Sequence, residues 1–169
     1  MSFVSVQRTK NYVMSICALA LLSAGVSSAS AATLSRSVDV NGTPAAVWSM
    51  IGPFCAIKDW LPPIGACSED GKTPPTRTLL TKDGKATFVE LQTARSDAKY
   101  TYSYSFTSSP LPVTNYRSTI VVVAKGPGIS TVTWSATYTP APGKDKDASD
   151  ALNGVYEAGL DAIKSKFAK

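Results

Sequence analysis

Residues 100–107 read YTYSYSFT, and the strict alternation of this stretch decides the fold. Every second residue is aromatic, and the residues between are Ser or Thr; the aromatic positions are Tyr100, Tyr102, Tyr104 and Phe106. A period of two places successive side chains on opposite faces of a β-strand, so the aromatic face lines an interior. That interior is either a solid core or a cavity wall. The tyrosines favour the cavity, because a dry core leaves hydroxyls without partners.

The chain on either side of this stretch alternates in the same way. Residues 34–40 predict a first strand, and residues 116–125 and 130–139 predict two more. A Pro-containing loop at residues 108–113 separates these last two strands from the aromatic one.

An Asp-Gly dipeptide at residues 83–84 separates two further strand-like segments, 77–81 and 86–92. Such a dipeptide predicts a β-hairpin with a two-residue turn. With that register Arg77 lies opposite Glu90. The two side chains form either an exposed ion pair, worth at most about 1 kcal/mol, or a pair that faces a cavity and orients a polar group of a ligand.

Two short helices are predicted after the first strand. Thr43 is a favourable N-cap and Pro44 suits the first helical position, so a helix begins there and ends near Gly52. The next apolar segment, residues 54–67, contains two adjacent prolines at 62–63, so a helix within it is short.

The chain ends in a long amphipathic helix that Asp147 or Ser149 can cap. Its apolar residues recur at helical spacing and are Leu152, Val155, Tyr156, Gly159, Leu160, Ile163 and Phe167. The predicted class is therefore α+β: a curved antiparallel sheet of about seven strands around a long C-terminal helix, with two short helices after the first strand.

The N-terminal segment is typical of a secretory signal peptide. Its first residues are polar and include cations but no acid, residues 12–26 are almost entirely apolar or small, and a small-x-small site follows at 29–31. The apolar run is shorter than the roughly 20 residues of a spanning helix, which makes an uncleaved anchor the weaker alternative. We predict a signal peptide at residues 1–31, one domain at residues 32–169 without a membrane span, and localisation in the periplasm or the medium.

Composition excludes several classes of function. The chain contains no histidine, which removes the usual general base and with it the Ser-His-Asp and Cys-His hydrolases. Residues 32–169 carry a net charge of only +3 from scattered side chains, so nucleic acid is not an expected partner. With no imidazole and two thiols after the signal peptide, a zinc site is improbable, and we expect no metal and no cofactor.

Those two thiols belong to Cys55 and Cys67. A single pair of cysteines in an exported domain predicts one disulfide. Two free thiols or a metal site are the alternatives.

The order β-α-α-β(6)-α resembles the helix-grip fold of the START/Bet v 1 superfamily (SRPBCC), often labelled polyketide cyclase/dehydrase and lipid transport, over residues 33–168. The segment 54–62 with Cys67 beyond it looks like a pattern of secreted bacterial members, although those commonly have a histidine where Leu61 stands here. The segment 110–118, PLPVTNYRS, resembles the loop and strand at the mouth of the family's cavity.

The resemblance implies a container for apolar molecules and nominates residues inside it. Glu90, Tyr116 and Ser118 match in type the polar cavity groups of the plant abscisic-acid receptors, whereas Trp134 stands at a further polar position and makes the pocket more apolar. The tight hairpin at 83–84 replaces the receptors' gate loop, which argues against gated signalling. The predicted ligand-binding residues are Arg77, Phe88, Glu90, Tyr102, Tyr104, Tyr116, Ser118 and Trp134.

Three functions fit this resemblance. The first is an exported protein that holds a small hydrophobic or aromatic ligand between the sheet and the C-terminal helix. The second is an accessory protein to a periplasmic redox enzyme, because some secreted members resemble a factor encoded with methanol-oxidation systems. The third is a cyclase or dehydratase with Tyr102, Tyr104 or Tyr116 as acid and Glu90 as base. We favour them in that order, and binding over catalysis.

Overall fold

A computed structural model describes residues 1–2 and 30–168. The predicted signal peptide lies almost wholly outside the described residues, and the prediction of its cleavage stays a prediction. Among the described residues, no helix is long and apolar enough to cross a membrane.

Seven strands and three helices make up the domain, and they confirm the predicted α+β helix-grip class. The strands are β1 (Ala32–Val40), β2 (Ile64–Glu69), β3 (Thr76–Thr81), β4 (Thr87–Ser96), β5 (Thr101–Ser108), β6 (Val113–Gly126) and β7 (Ile129–Pro140). The helices are α1 (Pro44–Ile51), α2 (Ile57–Trp60) and α3 (Asp145–Lys166), and a 3-10 turn at Phe54–Ala56 precedes α2.

The strands form one antiparallel sheet in the order β1-β7-β6-β5-β4-β3-β2. All neighbours except β1 and β7 are consecutive in the chain. β1 and β2 are therefore the two edges, and α1 and α2 form the connection between them. The long helix α3 packs against β1, β7 and α2 and covers the inner face of the sheet.

Local sequence signals explain where the helices begin. Thr43 caps α1, because its hydroxyl accepts a hydrogen bond from the Ala46 amide at 3.3 Å. Helix α3 begins earlier than predicted, at Asp145, with Lys144 at the N-cap and no side-chain cap. Asp147 instead lies in the first turn of α3, where its carboxylate meets the helix dipole and Lys144 Nζ at 2.9 Å.

The hairpin between β3 and β4 has the predicted register but a different turn. Arg77 lies opposite Glu90 in the ladder, as expected. The connection is four residues long, since the Thr81 amide donates to the Ala86 carbonyl and the Gly84 amide donates to the Thr81 carbonyl. Gly84 has a φ of +70° and is the fourth residue of the β-turn that begins at Thr81, not one of its two central residues.

The aromatic stretch contains one further correction. Tyr102 and Tyr104 are buried on β5, and Phe106 is partly buried. Tyr100 precedes the strand with a φ of 49°, and its ring lies beside Trp48 with centroids 6.3 Å apart. The alternating sequence pattern therefore begins one residue before the strand does, and Tyr100 is not part of β5.

Cys55 and Cys67 form the predicted disulfide, with their Cα atoms 5.5 Å apart. It ties the 3-10 turn to β2. The bond closes a short loop that includes α2 and the two prolines, so this helical segment is fixed to the edge of the sheet.

Reducing this disulfide should lower the free energy of unfolding by about 3 kcal/mol, because it restores loop entropy to the unfolded chain. Urea unfolding with and without dithiothreitol measures the change. The double variant Cys55→Ala/Cys67→Ala is the control, since dithiothreitol should leave its unfolding curve unchanged. If dithiothreitol shifted the unfolding curves of both proteins equally, the assignment of a disulfide between Cys55 and Cys67 would be wrong.

Gly159 lies where α3 packs tightly against the core. A Cβ atom there would lie 2.9 Å from Trp134 Cζ3, 3.0 Å from Leu61 Cδ1 and 3.2 Å from Trp60 Cζ3. We expect Gly159→Ala to reduce the free energy of unfolding by about 1–3 kcal/mol through overpacking.

Gly154 provides a matched control in the same helix, because a Cβ atom there meets nothing within 4 Å. Gly154→Ala should raise the free energy of unfolding by up to about 1 kcal/mol through helix propensity. Urea unfolding of both variants tests the contact. If Gly159→Ala proved as stable as Gly154→Ala, the close packing of α3 would be wrong.

Candidate functional site

A cavity of about 210 Å³ lies between α3 and the sheet. Its walls come from every layer of the fold: α2 and the turn after it, strands β2 to β7, and α3. The lining residues are Ile57, Leu61, Pro63, Ile64, Leu79, Thr81, Phe88, Glu90, Tyr104, Phe106, Leu111, Tyr116, Trp134, Leu152, Val155 and Tyr156. Almost all of this lining is apolar or aromatic, as in small-molecule sites generally.

The lining residues that are exposed or partly exposed mark the mouth of the cavity. They lie on the β3–β4 hairpin, on β5, on the loop between β5 and β6, before β2 and on α3, and are Pro63, Thr81, Phe88, Phe106, Leu111 and Val155. Phe106 stacks on the deeper Tyr116 with ring centroids 3.8 Å apart. The entrance is therefore apolar except for Thr81, and Glu90 and the tyrosine hydroxyls lie deeper.

Glu90 is the one charged residue among those that line the cavity, and its partner is buried behind it. Arg77 Nε donates to Glu90 Oε2 at 2.6 Å, and the two residues are 0% and 3% exposed. Arg77 Nη1 also donates to the Phe54 carbonyl. The guanidinium carbon lies 4.0 Å from the centre of the Phe54 ring and 5.0 Å from that of Tyr104, so the cation has aromatic faces around it.

Burial sets the charge states of these groups. It raises the pKa of the Glu90 carboxyl above its ordinary value, and the nearby Arg77 guanidinium opposes that rise. Burial lowers the pKa of Arg77, but Glu90, Tyr102 and Tyr104 together raise it by more, so the guanidinium stays a cation at neutral pH.

The second polar group of the cavity is a cluster of hydroxyls at its floor. Tyr156 Oη lies 2.6 Å from Tyr116 Oη and 2.7 Å from Ser118 Oγ. Trp134 Nε1 donates to Ser118 Oγ at 2.9 Å and to Tyr104 Oη at 3.1 Å. The Trp134 ring stacks on that of Tyr156 with centroids 4.0 Å apart, which holds α3 over β7.

The tyrosines of this cluster remain neutral phenols. Burial raises the pKa of Tyr104 and of Tyr116 well above the ordinary value of a phenol, and neighbouring ionisable groups add to the rise. Burial likewise raises the pKa of Tyr156, against the lowering effect of its hydrogen bonds. Each hydroxyl therefore has one proton to donate at physiological pH.

The structure brings five of the eight predicted ligand-binding residues to the cavity wall: Phe88, Glu90, Tyr104, Tyr116 and Trp134. The other three predicted residues lie behind the wall. Arg77 lies behind Glu90, Ser118 lies behind the tyrosine hydroxyls, and Tyr102 packs between Trp48 and Phe54. Their contact with a ligand is thus indirect in this geometry, and ligand binding by the other five stays a prediction.

Sequence reasoning missed Tyr156 as a cavity residue. It appeared in the helical stripe of α3, where it is the only tyrosine, and that departure from aliphatic residues was the available signal. The apolar wall from α2, β2 and the β5–β6 loop was missed as well. These segments are short or irregular, so they carry no periodicity that shows which side chains point inward.

Comparison with known proteins places the chain in a family. Residues 31–168 match the family model described as polyketide cyclase / dehydrase and lipid transport. A comparison with curated proteins finds no match. The protein XoxI from Bacillus cereus is 36% identical, with a TM-score of 0.76 over 80% of this chain and 95% of that one.

Two further structures are similar. An uncharacterised protein from Bacillus thuringiensis is 35% identical, with a TM-score of 0.76 over 80% of this chain and 98% of that one. The Zhui aromatase/cyclase from Streptomyces sp. R1128 is 15% identical, with a TM-score of 0.66 over 81% and 93% of the two chains, and shares the fold. By its sequence and its structure, the chain belongs to the polyketide cyclase / dehydrase and lipid transport family.

Proposed function

We propose that this protein binds a small hydrophobic or aromatic molecule in the cavity between α3 and the sheet, and that it does so outside the cytoplasm. The observation that carries the proposal is the cavity itself. Protein interiors are close-packed, and voids much larger than a water molecule are few. Here about 210 Å³ stays open behind a mostly apolar mouth.

The volume limits the ligand to a small one. An engineered apolar cavity of about 150 Å³ is known to bind benzene, and most ligand pockets measure about 300–1,000 Å³. At about 210 Å³ this cavity lies between the two. A ligand with one or two rings fits, and its polar group faces Glu90 and the hydroxyl cluster.

Holding a ligand fits the site better than catalysis does. A general base must take up a proton, and Glu90 has one obstacle to this: its Oε2 atom is bonded to Arg77 at 2.6 Å, and that cation opposes the rise of the Glu90 pKa that burial causes. Of the three candidate acids, Tyr102 does not line the cavity and the hydroxyl of Tyr116 is bonded to that of Tyr156 at 2.6 Å, which leaves Tyr104 alone. Binding therefore ranks above a cyclase or dehydratase activity.

Protein purified from its own host should carry a small aromatic or apolar molecule, which native mass spectrometry would detect. Val155→Trp should lower the affinity for one- and two-ring aromatic probes at least tenfold, because Val155 lies at the cavity mouth. Val123→Trp is the control, since Val123 is 49% exposed and lies outside the cavity. A protein that is empty and does not bind a panel of such probes would contradict the proposal.

Export should leave a mature chain that begins at Ala32, with Cys55 and Cys67 oxidised. Support comes from the disulfide between them, since such bonds persist in oxidising compartments. Intact-mass measurement on protein from fractionated cells checks the N-terminus and the thiol state together. Full-length protein in the cytosol with both thiols reduced would contradict export while leaving the binding proposal to its own test.

A further inference from the structure

The hydrogen bonds within the hydroxyl cluster at the cavity floor all run in one direction. Two groups determine it, because one can only accept and the other can only donate. The backbone carbonyl of Ser135 can only accept, so Ser118 Oγ donates to it at 2.9 Å. The indole nitrogen of Trp134 can only donate, and it donates to Ser118 Oγ and Tyr104 Oη. A hydroxyl has one proton, so each remaining contact in the cluster can be assigned a donor.

The assignment runs from Ser118 towards the cavity. The single hydroxyl proton of Ser118 is used in the hydrogen bond to the Ser135 carbonyl. Tyr156 must therefore donate to Ser118 Oγ at 2.7 Å. Tyr116 then donates to Tyr156 at 2.6 Å. The last contact, between Tyr104 and Tyr116, must have Tyr104 as donor, and at 3.5 Å it is at the limit of a hydrogen bond. Tyr104 is therefore the open end of the chain, with a proton that is only weakly engaged.

Glu90 offers the complementary group. Its Oε2 atom accepts from Arg77, whereas its Oε1 atom has no hydrogen-bond partner among residues 30–168. In the β4–β5 ladder Glu90 pairs with Phe106 and Gln92 pairs with Tyr104. Glu90 and Tyr104 are thus diagonal neighbours on one face of the sheet, within reach of a common group, and both line the cavity.

We propose that the cavity selects an aromatic ligand with a ring hydroxyl, which accepts a hydrogen bond from Tyr104 and donates one to Glu90. The inference rests on the proposed binding function and names the ligand class. A phenol satisfies both protein groups at once with a single atom. An ammonium group can only donate, an ether can only accept, and a carboxylate is repelled by Glu90.

Three probes of similar shape separate these chemistries: para-ethylphenol, ethylbenzene and para-ethylanisole. Titration of isotope-labelled protein, followed by NMR chemical shifts, gives a dissociation constant for each probe. We expect para-ethylphenol to bind at least about tenfold more tightly than the other two, the effect of one to two net hydrogen bonds.

Tyr104→Phe should weaken this preference severalfold without disrupting the hydrogen-bond chain, because the phenol then keeps only its bond to Glu90. Trp134 keeps its bond to Ser118 at 2.9 Å, and Tyr116 loses only the contact at 3.5 Å. Tyr138→Phe is the matched control, because Tyr138 is a buried tyrosine that does not line the cavity. It should retain the preference, and circular dichroism verifies that both variants fold.

The outcomes separate the two proposals. A phenol preference that Tyr104→Phe weakens and Tyr138→Phe retains supports the inference. Equal affinity for the three probes overturns the inference and leaves the binding function standing. A preference that is undiminished in Tyr104→Phe does the same. If none of the probes binds, the ligand class is wrong and the binding function loses its support from aromatic ligands.

Discussion

The guanidinium of Arg77 is fully buried, and the structure around the cavity depends on how its charge is balanced. A buried ion without a partner costs several kcal/mol, so its neighbours must supply opposite charge and acceptors. Glu90 supplies the charge from β4, and the Phe54 carbonyl supplies an acceptor from the 3-10 turn. One side chain thereby links two strands to the helical segment that closes the cavity.

The same balance determines what the cavity presents to a ligand. Because Oε2 of Glu90 is bonded to Arg77, the carboxylate is held in one orientation against the sheet. The disulfide at Cys55, next to Phe54, fixes the position of the carbonyl that accepts from Arg77. The polar group of the cavity is therefore supported by covalent and ionic contacts that lie behind the wall, as a preorganised binding site requires.

Much of the fold could be predicted because its signals are local. The alternation of β5, the N-cap at Thr43 and the helical stripe of α3 each depend on neighbours in the sequence, and each appears in the structure. The pairing of Arg77 with Glu90 followed from the hairpin register, although the turn itself is longer than predicted. A four-residue loop and a two-residue loop that share a midpoint give the same register, so this error did not reach the site.

The depth of each residue in the site could not be predicted in the same way. Periodicity gives the face of a strand, but the boundary between cavity wall and packed core depends on what the opposite layer contributes. Tyr102 and Tyr104 share a face of β5, yet Tyr102 is covered by Trp48 and Phe54 from the α1 region, whereas Tyr104 faces open space beneath α3. Trp134 stacks on Tyr156, and Gly159 lets α3 approach Trp134, while the cavity lies beside this contact and is lined by Leu152 and Val155. Which side chains line the cavity therefore depends on how one helix packs on a distant strand, a long-range feature that no local pattern in the sequence contains.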